Sequence, residues 1–136
     1  MMSSPNVDLV RSIYADWERG DFSHGEWADP EIEVVSPDHA FGGYVVKGRA
    51  EVARRWSEFL SAWEEWRYEV DEYRQLDGHR VLVLARLRGR GKTSGVDIGE
   101  LQTNVACVVH IDAGKVSKLV MWSDRDGALA DLGLEE

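Results

Sequence analysis

The sequence has few of the features that form disulfides, break helices and strands, or anchor a chain in a membrane. Cys107 is its single cysteine, so no disulfide can form within it, and only 3 of its 136 residues are proline. No apolar run is longer than the one over residues 105–109, which is far too short to cross a bilayer. The first residues lack the basic and apolar regions of a signal peptide. We therefore expect a cytoplasmic protein.

Basic residues are also the minority. The chain has 16 Lys and Arg against 25 Asp and Glu, a formal net charge of -9. Such a chain is repelled by phosphate backbones and by anionic lipids, so neither a nucleic acid nor a membrane is an expected partner. The 4 histidines lack the spacing of zinc ligands, and one cysteine cannot complete a ligand set. We expect no metal and no cofactor.

What the chain does have is enough apolar sequence for one core. Hydrophobic residues make up 43% of its 136 residues, a size and composition typical of one globular domain. No repeat or linker divides it. We therefore expect a single domain over residues 1–136.

Two stretches in the first half repeat apolar residues with the 3.6-residue period of a helix. One begins after Ser4 and Pro5, an N-cap and a first-turn residue, and ends at Gly20; the other covers 49–63. A short helix over 22–27, a strand over 32–36 and a loop over 38–48 are expected between them. The apolar stripes are Val7, Val10, Tyr14 and Trp17 on the first helix, and Val52, Trp56, Phe59, Leu60 and Trp63 on the second.

Period-two patterns dominate the second half. Residues 67–76 and 80–90 alternate around an Asp77-Gly78 turn, and strands over 100–111 and 115–122 follow. A last helix over 124–132 begins after Ser123, its expected N-cap. This order predicts an α+β fold, with a cone-shaped, curved antiparallel sheet covered by three N-terminal helices and a short C-terminal helix. A cone that side chains do not fill encloses a pocket.

Several segments carry a resemblance to a known family. They are residues 14–21 (YADWERGD), 29–33 (DPEIE), 47–52 (KGRAEV) and 86–92 (RLRGRGK). With these segments the chain resembles the NTF2-like superfamily, most closely its SnoaL-like, polyketide cyclase-like branch. The resemblance implies an NTF2-like or cystatin-like roll, a hydrophobic pocket for a small molecule and a homodimer formed through the outer sheet face. It is specific for fold and weak for activity, because this superfamily hosts many chemistries.

The resemblance also implies where catalytic groups would stand. A steroid-isomerase-like site needs a tyrosine on helix 1, which would fall at Ile13, and carboxylates that would fall at Ser36 and near Ala106 or Cys107. The chain departs from that pattern at all three places. A polyketide-cyclase-like site would use an aspartate after the last strand, Asp124 or Asp126, together with a histidine, His110 or His39.

From these residues we predict Tyr14, His39 and Asp124 as catalytic groups that donate, accept and orient protons. Each also has a structural interpretation: Tyr14 as a core tyrosine, His39 as an exposed loop residue, and Asp124 as a partner of a helix dipole. The predicted ligand-binding side chains are those with apolar or aromatic groups near the expected pocket: Trp17, Trp27, Tyr44, Trp56, Phe59, Trp63, Cys107 and Trp122.

The long strand presents two faces. Val105, Cys107 and Val109 share one face with other apolar residues, and we expect this face on the pocket side, while Asn104 and His110 share the polar face. Two functions remain open. The first is a small-molecule-binding domain with an aromatic-lined pocket. The alternative is a cofactor-independent acid/base enzyme, of cyclase, isomerase or hydrolase type, acting on a small apolar carbonyl or polycyclic substrate.

Overall fold

The computed structural model of the protein describes residues 5–19, 21, 25–35, 45–61, 63–91, 100–122 and 124–134. The side chains of residues 59–61, 63–66, 90, 91 and 100–103 lie outside that description. The elements in these ranges are α1 (Pro5–Glu18), β1 (Ala28–Val35), β2 (Val46–Lys47), α2 (Arg49–Ser61), β3 (Trp63–Gln75), β4 (Arg80–Gly91), β5 (Glu100–Asp112), β6 (Lys115–Trp122) and α3 (Arg125–Leu132).

The strands form one six-stranded sheet in the order β2-β1-β6-β5-β4-β3. Neighbours pair antiparallel except β1 and β6, which run parallel. The α+β class is confirmed, while the prediction of a purely antiparallel sheet is wrong at this one pairing. The reason is that β1 and β6 lie far apart in the sequence. No local pattern of residues encodes a contact between two such distant strands.

The boundaries of the predicted elements shift most in the first half of the chain. β1 is longer than the predicted strand and includes Pro30, which lies where its register with β6 is irregular, a position that tolerates a missing N–H. β2 lies within the predicted loop over 38–48, and α2 ends at Ser61, since Trp63 already belongs to β3.

Two other predicted helix segments lie partly outside the described residues. Glu26 and Trp27 form a turn before β1, and residues 22–24 of the predicted short helix lie outside the described part. Two N-terminal helices are thus described, not the predicted three. At the other end, Asp124 is the N-cap of α3, in place of the expected Ser123, which also lies outside that part.

The turns follow local sequence closely. Ala113 and Gly114, both with positive φ (51° and 77°), connect β5 to β6. This is the backbone form that two-residue hairpins require, and it accounts for the glycine. Gly133, with φ of 70°, ends α3, where its N–H bonds the carbonyl of Ala130.

Each face of the sheet carries a buried core. We call the face against α1 and α2 the inner face; its core includes Val10, Ile32, Val83, Leu87 and Val109. We call the face against α3 the outer face; its core consists of Leu82, Leu84, Ala106, Val108, Trp122, Ala128 and Leu129. Alternate residues of β4 and β5 therefore enter two different cores.

An irregularity at Asp71 shapes the edge strand β3. The register with β4 shifts between Val70 and Glu72, so Asp71 is an extra residue in β3. The Val70 N–H donates to Glu18 of α1 at 3.3 Å, and Arg125 of α3 donates to the Ala85 carbonyl on β4 at 2.8 Å. Helices on opposite faces thus both bond the backbone at this bulge.

In the described residues, no helix is both long enough and apolar enough to cross a membrane.

Candidate functional site

Aromatic side chains converge at one end of the inner face. Tyr14 and Trp17, one helical turn apart on α1, have ring centroids 4.7 Å apart. Tyr68 of β3 contacts both, at 5.7 Å from Tyr14 and 5.5 Å from Trp17. Edge-to-face and tilted pairs of this kind stabilise a cluster beyond the area that they bury. The three rings form its buried centre, since Trp17 is only 5% exposed.

Two further indoles flank Trp17 toward the surface. Trp27, in the turn before β1, lies 5.9 Å from it, and Trp56 of α2 lies 6.3 Å from it, centroid to centroid. Both are partly exposed and pack against the inner core. Their residues come from separate elements, so the tertiary fold alone brings them together. These two rings form the partly exposed border of the cluster.

On the other side the cluster ends at Tyr73, whose ring lies 6.4 Å from that of Tyr14. The Arg11 guanidinium lies 4.7 Å above the Tyr73 ring, a cation–π contact. Burial, together with the nearby Glu18, raises the pKa of Tyr73 to about 12 despite the opposing effect of Arg11. This phenol therefore stays neutral near pH 7.

The buried polar pair in this cluster is Tyr14 and Cys107. They share a side-chain hydrogen bond, in which the phenol O–H can donate to the sulfur, and they are 2% and 4% exposed. Burial, reinforced by Cys107 and Tyr68, raises the pKa of Tyr14 well above its usual range. Burial raises the pKa of Cys107 to about 12, against the hydrogen bond from Tyr14. Both groups remain protonated at neutral pH, which suits donors and disfavours bases or nucleophiles.

Conventional acid/base groups are scarce in the interior. None of the buried residues in the described part of the chain is a histidine, an aspartate or a glutamate. Within the same ranges, no three His, Cys, Asp or Glu side chains lie close enough to hold a metal ion. The described inner face therefore offers rings, aliphatic groups, phenols and a thiol for contact with a ligand.

Part of the predicted site is assembled on the inner face. The tryptophans Trp17, Trp27 and Trp56 lie with Tyr14 and Cys107 in one cluster. The apolar residues of β5, Cys107 among them, face α1 as expected, because Val105, Val109 and Ile111 belong to the same core. Four further predicted residues cannot be placed: His39 and Tyr44 lie outside the described residues, as do the side chains of Phe59 and Trp63.

Two predicted residues stand away from that cluster. Trp122 belongs to the outer core, and its indole N–H donates to Asp131 of α3 at 3.2 Å. The placement follows from its cross-strand partner Ala106, which points to the outer face. Asp124 is exposed at the start of α3, beside Gly127. The structure does not bring Asp124 into the cluster around Tyr14, so the three catalytic candidates are not shown to act together.

Two aromatic residues of the cluster, Tyr68 and Tyr73, were missed. They are five positions apart, so strict alternation would put them on opposite faces of β3. The extra residue Asp71 between them reverses the alternation, and both phenols reach the inner face. The residues themselves carried no signal of this bulge.

The fold and the cluster define the class of protein. The helices packed on a six-stranded mixed sheet fit the NTF2-like and cystatin-like folds of solved structures. The family model described as a SnoaL-like domain matches residues 10–119. That is well over half of the 136-residue chain. The chain belongs to the SnoaL-like domain family, which confirms the predicted resemblance.

Solved structures show the same fold at low identity. TerC, co-crystallised with polyporic acid, is 20% identical with a TM-score of 0.72, over 95% of this chain and 98% of that one. An NTF2-like protein from Burkholderia thailandensis is 21% identical with a TM-score of 0.75, covering 99% and 100%. A ketosteroid isomerase-like fold from Catenulispora acidiphila, in complex with trimethylamine, is 16% identical with a TM-score of 0.68, covering 94% of each chain. A comparison with curated protein sequences finds no significant match.

Proposed function

We propose that the protein binds a small, mostly apolar molecule at the aromatic cluster of the inner face. The observation that carries this proposal is the convergence of six rings from α1, α2, β3 and the turn before β1 around Trp17 and Tyr14. Flat aromatic ligands gain contact area and favourable ring geometry against such walls. The Tyr14 hydroxyl is the polar group that would bond a ligand carbonyl, exchanging the Cys107 sulfur, a weak acceptor, for a stronger one.

Two structural relatives support a small molecule as the ligand. TerC was crystallised with polyporic acid, and the protein from Catenulispora acidiphila with trimethylamine. The first ligand would use rings as stacking surfaces, and the second would use them as cation–π partners. The buried phenol and thiol of this chain add hydrogen-bonding groups but no charge near pH 7, so we favour a neutral, flat carbonyl compound.

The buried groups favour binding over acid/base catalysis. A general base must be able to accept a proton near neutral pH, and burial keeps Tyr14 and Cys107 protonated there. Catalysis of the cyclase, isomerase or hydrolase type would need a group such as His39, and that role stays a prediction. Conversion of a ketone substrate by the purified protein, together with loss of this activity in the His39→Gln variant, would favour the acid/base enzyme over the binding domain.

Fluorescence can test the binding site directly, because indoles form its walls. Polyporic acid, the neutral ketone 2-acetonaphthone and trimethylamine are the three probes. We expect 2-acetonaphthone to quench the tryptophan emission saturably, and to bind about tenfold more weakly to Trp27→Ala or Trp56→Ala. Absence of saturable quenching by every probe would refute the proposal. If trimethylamine bound more tightly than 2-acetonaphthone, the ligand would be a cation, and the proposal of a neutral carbonyl compound would be wrong.

The role of Tyr14 has a matched test. Tyr14→Phe removes the hydroxyl and keeps the ring, so we expect 2-acetonaphthone to bind about fivefold more weakly, the equivalent of about 1 kcal/mol. The hydrocarbon 2-ethylnaphthalene, which has no carbonyl, should bind both proteins equally. Tyr73→Phe is the control, since this phenol lies at the edge of the cluster. Equal effects of the two variants would contradict the assigned hydrogen bond.

A homodimer formed through the outer face, and a cytoplasmic location, complete the proposal. α3 already covers the apolar part of that face, so the dimer contact would use the exposed polar part around Glu69, Arg86 and Arg88. Light scattering at micromolar concentration tests it. A mass twice that of the 15.4 kDa chain supports the dimer, and the mass of one chain refutes it.

A further inference from the structure

The outer face of the sheet changes character along its strands. Residues paired across β4, β5 and β6 form rows on this face. Two of the rows are apolar and lie in the core beneath α3: Leu84, Ala106 and Trp122 in one, and Leu82, Val108 and Val120 in the other. The next row along the strands consists of Arg80, His110 and Lys118.

This third row, which we call the cationic row, points to the same side as the apolar rows. Each of its residues is two positions away from a residue of the neighbouring row, and side chains two apart share a face. Its members are close enough to interact, because Lys118 and Arg80 both lower the pKa of His110, after the larger effect of burial. Neighbouring strands lie about 4.8 Å apart, so the row places three nitrogen-bearing groups within about 10 Å.

His110 stands between two cations, since Arg80 is its partner on β4 and Lys118 its partner on β6. A proton on His110 would place like charges directly opposite each other on neighbouring strands, which destabilises their pairing. Such a row is unusual for a chain with a net charge of -9. Within the described ranges, neither His110 nor Lys118 forms an ion pair, and Arg80 is paired with Asp77 at 2.7 Å.

The acidic groups around the row neutralise only part of its charge. Asp77, in the turn before β4, faces His110 from the side of Arg80. On the other side Glu33 of β1 pairs in register with Lys118, but its carboxylate bonds Lys47 of β2 at 3.2 Å. Asp77 thus offsets the charge of Arg80 within the row, whereas the carboxylate of Glu33 is engaged by Lys47. Within the described residues, Lys118 is therefore the member of the row whose positive charge has no carboxylate partner.

We propose that the cationic row binds an oxyanion of the phosphate class, either free phosphate or the phosphate group of a small organic molecule. The Arg80 guanidinium offers a planar pair of donors, Lys118 a point charge, and His110 a ring N–H between them. The apolar row beside it, Leu82, Val108 and Val120, lies where the organic part of a phosphate ester would extend. This site is on the opposite side of the sheet from the aromatic cluster and does not depend on the function proposed there.

The imidazole provides the readout for a test by nuclear magnetic resonance. Inorganic phosphate should shift the His110 ring signals saturably and raise the pKa of His110, because a bound anion opposes the effect of Lys118 and Arg80. Binding should therefore tighten as the pH falls through the titration of His110. Chloride at equal ionic strength is the control. If chloride shifted the His110 ring signals as much as phosphate does, the shifts would come from screening of the neighbouring charges by salt. That result would overturn the proposal.

Three variants sharpen the test. Lys118→Gln and His110→Gln should each weaken phosphate binding about tenfold, whereas Arg54→Gln, which removes one positive charge from α2 on the inner face, should not change it. Thermal unfolding without phosphate shows whether each variant folds. Unchanged affinity in folded Lys118→Gln would overturn the site. So would the absence of any saturable shift, including the case in which a second copy of the chain covers the face.

A comparison of two phosphates identifies the source of the anion. Phenyl phosphate carries the same charged group as inorganic phosphate together with an apolar ring. Tighter binding of phenyl phosphate, lost in Val120→Ser, supports a phosphorylated small molecule as the ligand. Equal binding of the two supports free phosphate.

Discussion

Each of the two faces of the sheet carries a buried core, yet the two faces differ in chemistry. The inner face is lined by large rings and a buried phenol–thiol pair, Tyr14 with Cys107. The outer face has a smaller core under α3 with one ring, that of Trp122, among aliphatic side chains, and charged residues lie on both sides of that core. One sheet thus presents an aromatic surface on one face and an aliphatic core flanked by charges on the other.

The difference arises from which helix covers which face. α1 and α2 supply tryptophan and tyrosine to the inner face, whereas α3 supplies Ala128 and Leu129 to the outer one. The helices therefore give the inner face large flat surfaces and the outer face small aliphatic ones. We infer that the inner face is the one suited to hold a flat apolar molecule, and the predictions below test this contrast.

The largest expected effect comes from a matched pair of leucines on β4. Leu82 points to the outer face and is 0% exposed, and Leu87 points to the inner face and is 2% exposed. Each change to alanine should lower the free energy of unfolding by about 2–5 kcal/mol, measured by urea denaturation. Equal losses of unfolding free energy in the two variants would indicate that the two cores unfold as one cooperative unit. A loss below about 1 kcal/mol for Leu82→Ala alone would make the α3 side a separate, weaker layer.

An intermediate effect is expected at the ion pairs that join α3 to the sheet. Asp71 accepts hydrogen bonds from Arg125, which is 14% exposed, and from Arg86. Asp71→Asn should cost about 1–2 kcal/mol of unfolding free energy, because Arg125 is left without its charged partner and solvent screens part of the loss. Tyr14→Phe, by contrast, should leave α3 in place.

The carboxylate of Asp71 should also make the stability of the protein depend on pH in the acid range. The bond from Arg125, then the charges of Arg86 and Arg125, hold the pKa of Asp71 below its usual range. The stabilisation is present above the unfolded pKa near 4 and is lost as the pH falls through the lower folded value. The wild-type protein should therefore lose more stability than Asp71→Asn as the pH falls below about 4. Parallel acid curves for the two proteins would contradict this assignment.

The smallest effect is expected on the inner face in alkali. The folded pKa of Cys107, about 12, lies above the unfolded value near 9, so the folded state keeps a proton that the unfolded state releases. Its stabilisation is complete below pH 9 and falls as the pH rises toward 12. Between pH 9 and pH 10 the loss should be about 1 kcal/mol larger for the wild-type protein than for Cys107→Ala. Identical losses would show that the thiol titrates freely.

The sequence by itself determined the elements that depend on neighbouring residues. The stripe of α1 through Tyr14 and Trp17, the strands on either side of Asp77-Gly78 and the apolar face of β5 around Cys107 all followed from local periodicity. Burial acts on residues 2, 3 or 4 positions apart within one element, so its pattern is written along the chain. Trp56, on the apolar stripe of the second helix, could be nominated for the same reason.

Only the tertiary structure decided how these elements share the two faces. The parallel pairing of β1 with β6, the extra residue Asp71 that turns Tyr73 inward, and the docking of α3 that separates Trp122 from Trp17 depend on contacts between distant parts of the chain. The cationic row likewise exists only once β4, β5 and β6 are in register. Such contacts form because the folded chain gains burial on both faces of the sheet, a gain that no short segment can express alone.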